Sequence, residues 1–104
     1  MEQALKENIV QKLKPLEASR ILLFGSHASG NPQKDSDIDL LVIKKKVKSK
    51  LKDINQARKL LRKPGTIFDI LVASEDEYDF YKNQIGSILC EIDRKGVVLY
   101  ENCR

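Results

Sequence analysis

An α+β fold, a mixed sheet of about four strands flanked by helices, is what this 104-residue sequence predicts. Three observations lead there. Apolar runs near 20–24, 37–43, 66–73 and 97–100 are short and bounded by turn formers, as strands are. Before and between them, apolar residues recur at helical spacing. One run is apolar on both alternating faces, with Ile38, Leu40 and Val42 on one and Leu41 and Ile43 on the other. That pattern belongs to a central strand covered on both sides.

Leu5, Ile9, Leu13 and Leu16 predict a first helix over 2–17, ended near Pro15. Arg20 to Phe24 reads as a buried strand that stops at Gly25-Ser26. Residues 27–36, rich in turn formers, read as a loop or short helical turn. Asp37 to Ile43 is the second strand. A helix over 47–63 follows, with Val47, Leu51, Ile54 and Leu61 on one face and Pro64-Gly65 stopping it. Thr66 to Ala73 is the third strand. Ser74-Glu75-Asp76-Glu77 matches a capping box and starts another helix, whose apolar face is Ile85, Ile88, Leu89 and Ile92. Arg94 and Lys95 suit its C-terminal dipole, and Gly96 its C-cap. Val97 to Tyr100 is a last strand at the sheet edge. The order is α-β-β-α-β-α-β, in a single domain spanning 1–104, without repeat or linker.

Composition narrows the function classes. No apolar run approaches the ~20 residues that span a bilayer, and MEQALKENIV has no apolar core of a signal peptide, so the expected compartment is the cytoplasm. Cys90 sits in an apolar pattern and Cys103 in the tail, which makes neither a disulfide framework nor a zinc site. With one histidine, His27, most histidine-based triads are excluded. The net charge of +4 is uneven: lysines at 44, 45, 46, 48, 50 and 52 form a dense run, followed by Arg58, Lys59, Arg62 and Lys63. This is either a solvated face or a contact for an anionic partner: triphosphate, RNA or an acidic protein. No aromatics interleave with the lysines, which disfavours base stacking.

The chemistry concentrates in three places: Gly25-Ser26 after a strand, Asp37-Ile38-Asp39 opening the next, and Asp69 within Ile67-Phe68-Asp69-Ile70-Leu71-Val72. Residues i and i+2 of a strand share a face, so Asp37 and Asp39 project side by side. Adjacent carboxylates repel unless protonated, solvated or bound to a cation. A paired Asp alone is commonly just two exposed acids. Asp69 adds weight, because its apolar neighbours predict a buried carboxylate, and a buried carboxylate needs a cationic partner or a metal. Hard oxygen ligands suit magnesium, and three converging carboxylates suit two-metal phosphoryl transfer. Gly25 allows a tight turn and close backbone approach to a phosphate, with the Ser26 hydroxyl beside it.

The stretch Gly25-Ser26-His27-Ala28-Ser29-Gly30, then Asp37-Ile38-Asp39-Leu40-Leu41-Val42 after ten residues separating Ser26 from Asp37, resembles the signature of the DNA polymerase beta-like nucleotidyltransferases. It is most similar to the minimal nucleotidyltransferases (MNT) of bacteria and archaea, and the resemblance covers nearly the whole chain, including the closing Gly-Val-Val-Leu-Tyr. The resemblance implies that Gly25 and Ser26 hold nucleotide phosphates, with Ser36 contacting phosphate or capping the loop. Asp37 and Asp39 would bind two Mg2+ ions, and Asp69 would ligate the second and help activate the attacking hydroxyl. It implies ATP as substrate and transfer of AMP to a tyrosine hydroxyl (AMPylation) of a HEPN-domain toxin, with this chain as antitoxin. A homodimer or hetero-oligomer both fit. The family usually has arginine where this chain has Ser29, which keeps open an alternative: a binding antitoxin that neutralises its partner by complex formation. A basic nucleic-acid-binding module is a third reading.

Overall fold

The computed structural model describes residues 3–25 and 37–102. Ser26, His27, Ser29, Ser36 and Cys103 lie outside them. In chain order the elements are α1 (Gln3–Lys12), a 3-10 turn (Lys14–Leu16), β1 (Arg20–Phe24), β2 (Ile38–Lys44), α2 (Lys50–Leu61), β3 (Phe68–Ser74), α3 (Glu75–Tyr81), α4 (Ile88–Lys95) and β4 (Val97–Glu101). Four strands form one sheet in the order β3-β2-β1-β4. β1 is antiparallel to both β2 and β4, while β2 and β3 run parallel. The sheet is mixed, β2 is internal as its two-faced apolarity requires, and β4 lies at an edge.

The two faces of the sheet bury unequal cores. On one, Ile21, Leu23, Ile38, Leu40, Val42, Ile70 and Val72 pack with Ile9, Leu13 and Leu16, and with Ala57 and Leu61 of α2. On the other, Leu22, Leu41, Ile43 and Ala73 pack with Tyr78 of α3 and with Leu89 and Ile92 of α4. The second layer is made of short helices and leaves Phe24 and Leu71 partly covered. The candidate site opens on this thinner side.

Pro15 ends α1 and the chain continues as the 3-10 turn, because proline supplies no N–H to the helix ladder. α2 begins later than its apolar pattern suggests: Ser49 caps it by accepting from the Lys52 N–H. Leu51, expected on the buried face, is 68% exposed, and Ala57 and Leu61 are the residues α2 buries. The expected single helix after Ser74 is two. Ser74 accepts from the Glu77 N–H and caps α3, but Gly86 turns with φ +94° and Ser87 caps α4 through the Cys90 N–H. Ile85, placed on the buried face by helical spacing, falls in that turn and is 92% exposed. Gly96 does follow α4, with extended backbone instead of a left-handed cap. Its missing Cβ matters because one would sit 2.5 Å from the Ile92 carbonyl oxygen.

Tyr78 ties the thinner layer together. Its ring is buried, its hydroxyl donates to Asp93 at 2.5 Å, and the Arg20 guanidinium lies 5.4 Å from the ring centroid. Burial, then the hydrogen bond and charge of Asp93, push the hydroxyl above the usual phenol range, with Arg20 pulling the other way. Tyr78 therefore stays a neutral donor. Tyr78→Phe is expected to destabilise the protein by about 0.5–1.5 kcal/mol, measured by urea unfolding, since Asp93 is exposed and regains water when its partner goes.

Candidate active site

Asp39 and Asp69 lie on neighbouring strands at one end of the sheet, with Asp37 just before β2. Asp39 and Asp69 are register partners in the parallel β2–β3 pair. In-register neighbours project to the same face, so the third acid lies on the same side as Asp39. That side is the thinner one: Leu41 and Leu71, two residues further along each strand, pack there. The Ile38 N–H donates to the Ile67 carbonyl at 2.9 Å, which extends the pairing to the very start of β2. Asp37 stands just before this strand instead of within it, and it is exposed.

One expectation is corrected. Asp69 is exposed, not buried. The apolar run around it suggested a covered strand, but β3 is an edge strand and α3 begins only after its far end, at Glu75. No helix therefore covers Asp69, and it needs no structural counterion. Among the described residues, no three His, Cys, Asp or Glu side chains are gathered into a ready metal cluster.

Gly25 is the fourth component. It follows β1, whose last residue, Phe24, pairs with Asp39. Its φ is +76°, where side-chain-bearing residues are strained. A Cβ there would land on the Asp39 carboxylate, with Asp39 Cγ at 3.2 Å. The turn and the half-buried carboxylate thus share a space that only glycine leaves open.

Two apolar hollows flank these residues on the same face. One, of about 260 Å³, is lined by Phe24, Gly25, Ile88, Glu91, Ile92 and Lys95. The other, of about 290 Å³, lies over Leu41 and Leu71 against Tyr81, Ile88 and Leu89, with Lys50 and Glu77 at its rim. Ile88, 57% exposed, lines both. Sequence reading placed Ile88 in the core and did not single out Phe24 or Leu71. The signal that could have found Ile88 is Gly86-Ser87, a turn followed by a helix cap, which exposes the first residue of α4.

The sequence profile of a family described as polymerase beta, nucleotidyltransferase, matches residues 7–103. The chain belongs to that family. It is a nucleotidyltransferase, and its four-stranded mixed sheet is the family's fold. Solved structures agree on the architecture. A toxin–antitoxin crystal structure with AMP-PNP superposes with a TM-score of 0.60 at 18% identity, covering 93% of this chain and 73% of that one. A mutant of the toxin–antitoxin MntA-HpeT gives 0.59 at 16%, with the same coverages of 93% and 73%. A protein from Sulfolobus solfataricus assigned as a nucleotidyltransferase gives 0.55 at 20%, covering 97% and 89%. At these identities the likeness is one of fold. No curated protein matches the chain. Among the described residues, no helix is long and apolar enough to cross a membrane.

Proposed function

We propose that this nucleotidyltransferase moves AMP from ATP to a tyrosine hydroxyl of a HEPN-domain toxin, in a magnesium-dependent reaction, and serves as that toxin's antitoxin in the cytoplasm. The observation that carries the chemistry is the in-register pair Asp39–Asp69 beside the left-handed Gly25. The antitoxin role is supported by fold neighbours described as toxin–antitoxin structures, one with AMP-PNP and one a double aspartate-to-glutamate mutant.

The donor set fits magnesium. It consists of carboxylate oxygens, and magnesium takes one or two carboxylates and fills its remaining positions with water and substrate phosphates. A preformed three-carboxylate cage is not required. Held by these oxygens, magnesium would offset the triphosphate charge and polarise the α-phosphorus. Asp37, just before β2, and Asp39 within it would supply its oxygens, with Asp69 on the neighbouring β3. Gly25 lets the backbone approach the phosphates beside Asp39, with Ser26 and Ser36 as further phosphate contacts. The acceptor oxygen bonds to the α-phosphorus as the bond to the β-phosphate bridging oxygen breaks. Pyrophosphate leaves and the acceptor proton passes to Asp69. The apolar hollows flanking the pair accept the adenine ring and the acceptor's aromatic side chain.

The deciding experiment uses the protein encoded beside this chain, with magnesium and ATP labelled on either the α- or the γ-phosphate. The α-label is expected on a partner tyrosine and the γ-label in pyrophosphate, both lost with Asp37→Ala. Neutralisation of the partner that survives Asp37→Ala, with no label transferred, would replace this reading by antitoxin action through binding alone.

A further inference from the structure

The lysine run finds a definite place in the fold, at the opposite end of β2 from the acids. Lys44 lies five residues beyond Asp39, about 17 Å along a strand at ~3.3 Å per residue. That is roughly twice the screening length of about 8 Å at physiological ionic strength. These lysines therefore do not hold the triphosphate at the acid pair. α2, which carries the later lysines, packs on the face away from Asp39 and Asp69, although Lys50 at its start reaches the hollow over Leu41 and Leu71.

There they line a groove of about 400 Å³ made by Lys44, Lys46, Lys48, Ser49, Lys52 and Asp53. Its one acid is already engaged, since Lys44 pairs with Asp53 at 3.0 Å. Lys50 turns away to Glu77 of α3, at 2.6 Å. Among the described residues, Lys45, Lys46, Lys48 and Lys52 make no ion pair, and all are exposed. The first turn of α2, capped by Ser49, adds its positive dipole end to the same groove. No apolar or aromatic side chain lines it.

We propose that this groove binds the phosphodiester backbone of a nucleic acid, as a site separate from the transfer centre. Lining chemistry decides between the two anionic macromolecules it could meet. Protein interfaces deplete lysine and are anchored by aromatic, Met or Arg side chains in a dry core, and this groove has none. Phosphate contacts need only cations, hydroxyls and helix N-termini, all of which it has. With no ring to stack a base, binding is independent of sequence, and RNA and DNA strands of equal charge bind alike.

The test uses the full chain and fluorescein-labelled single strands of mixed-sequence RNA and DNA, titrated by anisotropy over a salt series. Each phosphate neutralised on a single strand contributes about 0.7 to the slope of log affinity against log salt. The wild-type slope is expected to be about −3. The combined Lys46→Gln, Lys48→Gln and Lys52→Gln variant is expected to lose about 2 units of it, with an unchanged circular dichroism spectrum. Asp39→Asn, by contrast, binds the strands as wild type does. Failure of wild type to bind either strand at low salt would overturn the proposal. So would a triple variant with an undiminished slope, or polyglutamate that displaces the strand as well as unlabelled RNA does. The outcome is independent of whether AMP is transferred.

Discussion

Asp39→Asn should lower nucleotidyl transfer by about 10²–10³-fold, the scale of losing one preorganised electrostatic contact to a transition state. Among the three acids, Asp39 is the one held from several sides. It is half-buried, it pairs in register with Asp69 on β3 and with Phe24 on β1, and it fills the space that Gly25 leaves. The amide keeps the shape and removes the charge, so the packing around it is retained. A partner-independent readout separates loss of nucleotide from loss of acceptor. In wild type, magnesium with ATP at about ten times Kd should stabilise the protein by about 1.4 kcal/mol. For a domain of this size that raises Tm by roughly 6–11 °C. With Asp39→Asn the rise produced by magnesium with ATP should vanish, measured against the variant's own unliganded Tm. Full transfer activity in this variant would remove the acid pair from the mechanism.

The positions of these groups were legible in the sequence to an uneven degree. Strand β2 is legible nearly to the residue, because a central strand covered on both sides is apolar on both faces, as Leu40 to Ile43 is. Strand alternation predicts Asp37 and Asp39 side by side within β2; the strand begins at Ile38, so only Asp39 of the two lies in it, in register with Asp69 of β3. What failed was what tertiary context decides. Asp69 was read as buried because its neighbours are apolar. Whether a strand end is covered depends on where the next helix starts, and that is set by the Ser74 cap, not by the strand. Leu51 and Ile85 were assigned to buried faces by spacing, yet α2 meets the sheet through Ala57 and Leu61, and Ile85 sits in a turn. The break at Gly86-Ser87 has a local cause in the sequence, a left-handed glycine ahead of a serine cap. It was masked by an apolar periodicity that continues in phase across it. That break also sets the site's shape: two short helices cover the second face incompletely and leave the hollows around Ile88.

Gly25→Ala is expected to cost more activity than stability, and the reason lies in which atom must move. Alanine at φ +76° carries a backbone penalty of about 1–2 kcal/mol. The added methyl meets the far end of the Asp39 side chain, with Asp39 Cγ at 3.2 Å and Cβ at 3.5 Å. A carboxylate tip rotates away far more cheaply than β1 or β2 can shift, so the collision is relieved by displacing the very group the transfer needs. A misplacement of about 1 Å costs on the order of 10²-fold in rate. Gly65→Ala separates the two effects. Gly65 has φ +78°, nearly the same conformation, but nothing within 4 Å of a Cβ. Both variants should therefore lose similar stability in urea unfolding, while only Gly25→Ala loses transfer and the thermal response to magnesium with ATP. The double variant Gly25→Ala with Asp39→Asn should lose less than the product of the two single losses, because the methyl acts in part through the carboxylate. If Gly25→Ala retained full activity at reduced stability, the glycine would be needed only for its backbone conformation, and the close approach to Asp39 would have no part in the chemistry.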